Sequence, residues 1–491
     1  MNRNNPQKVV TRFAPSPTGF MHIGNVRTAL YAFLFARKNN GTFIVRIEDT
    51  DKNREVEGSI AHIQESLKWL GIDWDIGPDK PGDFGSCLQS DRLHIYKKYA
   101  DSLIEKGLAY PDPYTTEETA VFRTLAENEK RPFLYRNHRP ANTGPWNGKQ
   151  PLRFKTPEIK RYEWQDVVRG KLTAGEEMLD DFILIKADGY PTYNFAHIVD
   201  DLEMGVTHVM RGEEFISSTP KFLSLYDALE IPYPIFVTLP PIMGPDGKKK
   251  LSKRDGSKDL LEFRQDGYLP EAMRNFLALI GWNPGGNEEI FPSNETENVL
   301  VEKFSLEKIQ KSGGAFNEDK LRWVNQEYLR KMGHDKQFDY LKEVLDKTLA
   351  ELPQYSKDRL AGLVAEVFSR VHNKVEIETA ARAGEYDWAF KSPEYEKDLL
   401  KWKNDNDTSE ALPRLQKATE IFEQSKFESR VDFQPDLMKY AEEVGKGELL
   451  WPLRVALSGR AQSPDPFTLA MTLGKEETVS RITKACDKIR S

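Results

Sequence analysis

Two short stretches carry side chains suited to polyphosphate chemistry. The first, Thr18-Gly19-Phe20-Met21-His22-Ile23-Gly24-Asn25, joins a histidine to glycines where a helix should begin. Glycine lets a ligand approach the backbone closely, and a helix N-terminus turns unpaired N–H groups toward an anion. His22 stands just before that terminus, where it can donate to a phosphate. The second stretch, Lys249-Lys250-Leu251-Ser252-Lys253-Arg254, follows Gly244-Pro245-Asp246-Gly247. A loop with several cations and a hydroxyl suits a phosphate that gains negative charge as it reacts. Each stretch also has a plainer reading. A His-x-Gly triplet fits a surface histidine at a helix entry, and a basic run fits a solvated loop. Neither is a Walker loop, and no Gly-x-Gly-x-x-Gly occurs.

The elements around the first stretch decide where it sits. Residues 8–13 form a short β-branched run that predicts a buried strand. Ala14-Pro15-Ser16-Pro17-Thr18-Gly19 is dense in helix and strand breakers and must be a loop. From Gly24 to Lys38 the apolar residues Val26, Ala29, Leu30, Phe33 and Leu34 recur at helical spacing. Asn39-Asn40-Gly41 ends that helix, and Thr42 to Glu48 reads as a strand. Strand, loop, helix, strand implies a right-handed crossover in a parallel sheet. Such sheets bind ligands at the carboxyl ends of their strands. Loop 14–25 and Glu48-Asp49-Thr50-Asp51 therefore share one rim.

Farther along, 59–70 and 91–107 show helical periodicity. Residues 111–150 are rich in Pro, Asn, Arg and Gly and read as irregular. Residues 151–180 hold short strand-like runs, and a buried strand begins at Phe182. Residues 111–180 are expected to be an insertion between two halves, 8–110 and 181–245, of one α/β domain. A strand is expected at Ile235 to Leu239. From about 258 the pattern is overwhelmingly helical, for example Leu341, Val344, Leu345 and Leu360, Leu363, Val364, Val367. A boundary is placed at 330/331.

The chain has 491 residues, enough for about three or four domains. Aromatic residues make up 11%, too many for a disordered chain. No apolar run approaches the ~18 residues of a membrane helix, and residues 1–7 lack a secretory apolar segment. Two cysteines, Cys87 and Cys486, exclude a disulfide scaffold and a cysteine-rich zinc site, so a reducing, cytoplasmic setting is expected. A net charge of −7 argues against coating nucleic acid by bulk charge and leaves room for a local basic groove.

Five motifs occur in order: Arg12-Phe13-Ala14-Pro15-Ser16-Pro17-Thr18-Gly19, His22-Ile23-Gly24-Asn25, Arg46-Ile47-Glu48-Asp49-Thr50-Asp51, Asp188-Gly189-Tyr190-Pro191-Thr192-Tyr193, and Lys250-Leu251-Ser252-Lys253-Arg254. In this order they resemble the bacterial-type glutamyl-tRNA synthetases, a family of class I aminoacyl-tRNA synthetases. His22 to Asn25 is similar to the HIGH signature, and Lys250 to Arg254 to the KMSKS signature. The resemblance runs from residue 8 to about 488. It implies a Rossmann-like catalytic domain with an inserted acceptor-binding domain, a signature-loop and stem-contact region over 246–330, and an all-helical anticodon-binding region over 331–491.

The resemblance implies a chemistry and a set of partners. ATP activates L-glutamate to the adenylate, and the 3′-terminal adenosine of tRNA-Glu accepts the glutamyl group. His22 and Lys253 would stabilise the transition state. Gly24, Asn25, Lys250, Ser252 and Arg254 would join them in binding ATP, with magnesium on the phosphates. Arg12 and Arg211 match the family's glutamate-binding arginines, and Glu48 the carboxylate that holds the ammonium. Ala14, Ser16 and Tyr193 match further pocket positions, as does His197 where some relatives carry Asn. Arg54 resembles a contact to the tRNA end. Arg454, Ser463, Pro464 and Phe467 fall on anticodon-contacting positions; without the resemblance, Phe467 reads as core and Arg454 as a solvated charge. Arg481, Lys484 and Lys488 lie at helical spacing, as either a solvated face or an RNA contact.

The chain departs from the family pattern twice. Many relatives carry a zinc site in the inserted domain, where this chain has Pro111, Pro113 and no cysteine, so no zinc is expected. His372 stands where the family uses an arginine to exclude tRNA-Gln, which leaves a non-discriminating enzyme as the alternative. An inactive RNA-binding paralogue is the other alternative. The protein is expected to be a monomer.

Overall fold

The computed structural model describes residues 8–251, 258–292 and 298–491. Ser252, Lys253 and Arg254 lie outside the described residues. The chain divides into two units, Met1–Arg264 with Pro270–Leu321, and Gln265–Leu269 with Arg322–Ser491.

The first unit opens as its sequence pattern predicts. Strand β1 (Val10–Phe13) leads into helix α1 (Ile23–Lys38), and β2 (Thr42–Val45) pairs back parallel to β1, Val10 opposite Thr42. Helix α1 is apolar on most of its surface because it is covered on both sides. It packs on β1 and, elsewhere, on α8 (Pro270–Leu279) and α9 (Val299–Lys303). Between β2 and these helices the chain forms α2 (Ser59–Trp69), α3 (Leu93–Glu105), β3 (Ala109–Pro111), α4 (Thr116–Asn128), β4 (Leu152–Phe154), β5 (Tyr162–Asp166), β6 (Gly170–Ala174), β7 (Ile183–Ile185), α5 (Tyr193–Glu203), β8 (His208–Gly212), α6 (Thr219–Leu229), β9 (Ile235–Leu239), β10 (Ile242–Met243) and α7 (Leu260–Gln265). Strand β11 (Gly314–Ala315) pairs parallel to β10.

The main sheet runs in the order β2-β1-β8-β9-β5-β6, parallel except for the β5–β6 hairpin. A second sheet, β3-β4-β7, is antiparallel. The strands expected inside an insertion are thus shared out. β5 and β6 extend the main sheet, while β4 pairs with strands on both sides of the expected 111–180 interval. Their partners are distant in sequence, so no local pattern announces them. Residues 111–150 also contain α4, closed by a capping box between Thr115 and Glu118.

The second unit is helical. Helix α10 (Glu318–Lys331) contains the division, between Leu321 and Arg322, rather than at 330/331. Then follow α11 (His334–Leu349), α12 (Lys357–Arg370), α13 (Lys374–Arg382), α14 (Asp387–Phe390), α15 (Ala411–Gln424), α16 (Gln434–Val444), α17 (Lys446–Ser458), α18 (Pro466–Leu473) and α19 (Lys475–Arg490). The periodic residues Leu341, Val344, Leu345, Leu360, Leu363 and Val364 form part of one continuous core.

Candidate active site

The carboxyl ends of β1, β8 and β9 surround a cavity of about 430 Å³, within the range of small-ligand sites. It opens at the rim predicted from the first 50 residues. Arg12, Ala14 and Ser16 line it from the end of β1, and Glu48 from the segment after β2. His22, Gly24 and Asn25 line it from the start of α1, Tyr193 from α5, and Arg211 from β8. Lys250 completes the set from the second stretch, its Nζ 4.0 Å from Glu214. Ten of the residues selected from the sequence therefore face one space.

The helix start is built as the sequence suggests. His22 is the N-cap of α1, in extended backbone conformation, and its Nδ1 accepts from Gly24 N–H at 3.2 Å. A ring that accepts through Nδ1 carries its proton on Nε2 when neutral, where it can donate. Thr28 also lines the cavity. It lies one turn beyond Gly24, so helical spacing from the glycine was the signal that would have found it. Arg27 lines the cavity too, donating to the carbonyls of Pro240 and Ile280. Nothing in its local sequence marks that role.

Arg12 and Arg211 differ in their partners. Arg12 donates through Nε to Asp201 Oδ1 at 3.0 Å and through Nη1 to Met210 O at 3.3 Å. It is thus both a strand-end ion pair and a wall of the cavity. Among the described residues Arg211 forms no ion pair; its Nη2 donates to Thr219 Oγ1 at 2.8 Å. Its guanidinium lies 5.5, 5.0 and 5.3 Å from the ring centres of Phe215, Phe222 and Phe236. A buried cation among aromatic faces with no carboxylate partner is an electrostatic vacancy for an anion.

Glu48 is buried and accepts from Arg46 Nη2 at 3.1 Å. Burial pushes its carboxyl up to about 7, against the opposing pull of Arg46 and Arg12. A cationic ligand group would favour its charged form. His197 is 1% exposed and is not on the cavity wall. It stacks behind Tyr193, ring centres 4.6 Å apart at 13°, with Nδ1 2.7 Å from Tyr193 O. Burial pushes its imidazole down to about 3, so it is neutral and supports Tyr193 from behind.

The other expected site residues that the structure describes are not among those lining this cavity. Arg54 is exposed and pairs with Asp51 at 2.6 Å. In the second unit, His372 Nδ1 lies 3.0 Å from Glu376 Oε2, whose oxygen also accepts from His372 N–H. Arg454 is half-buried, and its Nε is buried with no hydrogen-bond partner among the described residues. Ser463 Oγ is 3.1 Å from Ser458 Oγ, and Pro464 is buried. Phe467 is 7% exposed and belongs to the helical core. Arg481 is fully buried, donating to the carbonyls of Trp388, Leu457 and Lys391, so it is a structural cation and not a solvated one. Among the described residues no three His, Cys, Asp or Glu side chains are grouped as a metal site requires.

A parallel sheet with anion-seeking groups at its carboxyl rim, followed by a helical unit, defines a class I synthetase architecture, and comparison with known proteins agrees. The family described as tRNA synthetases class I (E and Q), catalytic domain, matches residues 8–323, and an anticodon binding domain matches 338–486. A glutamate–tRNA ligase of Clostridium botulinum (strain Eklund 17B / Type B) is 41% identical over 99% of both chains, and one of Clostridium tetani is 39% identical over 99% of both. The crystal structure of a glutamate tRNA ligase from Elizabethkingia meningosepticum in complex with its amino acid matches with a TM-score of 0.84 and 35% identity, covering 98% of this chain and 99% of that one. The chain belongs to the glutamate–tRNA ligase family of class I tRNA synthetases.

Proposed function

We propose that this chain activates L-glutamate with ATP and transfers the glutamyl group to the 3′-terminal adenosine of tRNA-Glu, acting in the cytoplasm as a monomer. The observation that carries the reading is the charge pattern of the cavity. Besides Arg27, which donates to backbone carbonyls, it offers the guanidinium groups of Arg12 and Arg211, the latter without an ion pair among the described residues, and one buried carboxylate, Glu48. That pattern complements an amino acid with two carboxylates and one ammonium.

In the first step a carboxylate oxygen of glutamate bonds to the α-phosphorus of ATP, and the bond to the bridging oxygen breaks as pyrophosphate leaves. In the second, the terminal 2′-hydroxyl bonds to the acyl carbon, and AMP leaves with the former carboxylate oxygen. Arg211 and Arg12 hold glutamate by its carboxylates, and Glu48 fixes the ammonium. His22 and the N–H groups at the start of α1 face the reacting phosphate, where donors aimed at developing charge count most. Lys250 adds charge from the opposite wall. The resemblance to the KMSKS signature assigns the same task to Lys253. Magnesium arriving with ATP would take phosphate and water oxygens as ligands and offset phosphate charge.

A second reading, charging of tRNA-Gln as well, is favoured by His372. A histidine engaged with Glu376 stands where relatives place the excluding arginine. Charging assays with purified tRNA-Glu and tRNA-Gln test both readings. Glutamylation of neither tRNA would overturn the proposal, and glutamylation of tRNA-Glu alone would remove the second reading.

A further inference from the structure

Behind the cavity wall lies a buried chain of charges. Arg46 is completely buried and donates through Nη1 to Asp201 Oδ1 at 2.7 Å and through Nη2 to Glu48 Oε1 at 3.1 Å. The same Asp201 Oδ1 accepts from Arg12 Nε at 3.0 Å. Asp201 is itself buried, on α5, one residue after Asp200. Asp200 in turn accepts from Arg92 Nε, Gln89 Nε2 and Tyr96 OH at 2.7–2.8 Å. Asp201 Oδ2 is buried with no hydrogen-bond partner among the described residues. One carboxylate oxygen thus anchors both Arg12 on the cavity wall and Arg46 behind it.

We propose that Asp201 is a positioning residue for glutamate recognition, setting the Arg12 guanidinium directly and the Glu48 carboxylate through Arg46. The inference rests on the reading of Arg12 and Glu48 as glutamate-binding groups. The geometry explains why a carboxylate is needed there. With Nε held by Asp201 and Nη1 by Met210 O, Arg12 keeps one orientation in which Nη2 has no protein partner among the described residues. With Nη1 on Asp201 Oδ1 and Met204 Sδ, Arg46 reaches Glu48 through Nη2, and its Nε lies 3.8 Å from Asp200 Oδ2. Removing the acceptor would free two guanidinium groups to turn toward Glu48, the carboxylate Arg46 already touches, and compete with the ligand's ammonium.

The charge of Asp201 has a separate consequence. Arg12 and Arg46 overcome burial and hold its carboxyl down at about 2, so it is an anion throughout the working range. It faces Glu48 as a like charge and helps keep that carboxyl up. The other groups facing the pair include Tyr193 on α5 and Tyr226 on α6, held protonated by burial, and His197, held neutral. The guanidinium groups of Arg12, Arg46 and Arg211 also face it, and Asp200 pairs with Arg92 at 2.8 Å.

Two variants separate orientation from charge. Asp201→Asn keeps an acceptor oxygen and puts its amide where Oδ2 has no partner. Its glutamate KM at pH 8 should stay within about threefold of the parent's, while the acid limb of 1/KM shifts to lower pH. Asp201→Ala removes the acceptor. It should raise glutamate KM about tenfold or more, with kcat within about threefold and ATP KM unchanged. A limb that does not move in Asp201→Asn overturns the proposal. So does Asp201→Ala if it loses only thermal stability or active fraction with glutamate KM intact. If Asp201→Ala does not fold, the near-isosteric Asp201→Asn profile decides alone. Arg12→Gln and Glu48→Gln are run in parallel. If they leave glutamate KM unchanged, the underlying site reading fails; if they raise it while the Asp201 variants behave as the parent, the positioning role alone fails.

Discussion

Arg12 and Arg211 carry the same charge in different settings, and this decides how each should respond to substitution. Arg211 has no ion pair among the described residues, so its charge is available to a ligand carboxylate. Truncating one partner of a desolvated, hydrogen-bonded charge pair costs about 2–5 kcal/mol. Arg211→Gln should therefore raise glutamate KM about 30-fold or more and leave ATP KM within about twofold, measured by pyrophosphate exchange with tRNA present. An unchanged glutamate KM would remove Arg211 from the site. Glu48 gives a pH prediction. Its folded-state carboxyl sits at about 7, above the ordinary carboxylate value. Only the charged form pairs with an ammonium, so glutamate affinity should be full above pH 7 and fall as pH drops through it. Binding at pH 6 should release a proton, seen by calorimetry in buffers of different ionisation enthalpy. A glutamate KM flat from pH 6 to 8 would contradict this. At this scale the types of the cavity residues were readable from motifs. Their state was not, because Asp201 and Arg46, which set it, are buried partners 155 residues apart in sequence.

Elements that form from local pattern were legible, and elements that depend on distant partners were not. The β1-α1-β2 unit follows from a β-branched run, helical spacing and an Asn-Asn-Gly stop. Helix α4 was missed because its surface is mostly polar, although the Thr115-x-x-Glu118 box marks its start. The three-stranded sheet was missed because β4 takes partners from either side of a long irregular segment. Arg481 shows the same limit. Its spacing with Lys484 fits an exposed basic face, yet its fork satisfies three carbonyls inside the helical unit. The return from α1 to β2 supplies a prediction of its own. Thr42 N–H donates to Val9 O at 2.8 Å, which brings Gly41 against the same carbonyl. A Cβ on Gly41 would lie 2.4 Å from Val9 O, a backbone atom that cannot rotate away. Gly41→Ala should destabilise the first unit by about 1–3 kcal/mol. The urea midpoint of the phase reported by that unit should fall, and an unchanged midpoint would show that β1 and β2 can separate there without cost.

The molecule as a whole is two units with separate cores, one holding the cavity and one built from helices. A substitution confined to the helical unit should therefore leave the chemistry of the cavity alone. Arg454 is the place to test this. It sits on α17, half-buried, and its Nε is buried without a hydrogen-bond partner among the described residues. A desolvated donor of this kind costs about 1–3 kcal/mol unless something binds it. The nearby side chains divide the expected anticodon-contacting set. Phe467 and Pro464 are packed into the unit, as the composition-based reading of Phe467 as core anticipated, whereas Ser463 and Arg454 keep partly open polar groups. The guanidinium is then the group able to read a base, at about 1–3 kcal/mol of discrimination. Arg454→Ala should raise the tRNA concentration needed for charging about tenfold, with glutamate and ATP KM at saturating tRNA unchanged. Its effect should shrink on anticodon-mutated tRNA, because both changes remove one contact. If Arg454→Ala charges wild-type tRNA-Glu normally, or if its defect adds fully to that of anticodon mutations, the buried Nε serves only the helical unit and the anticodon is read elsewhere.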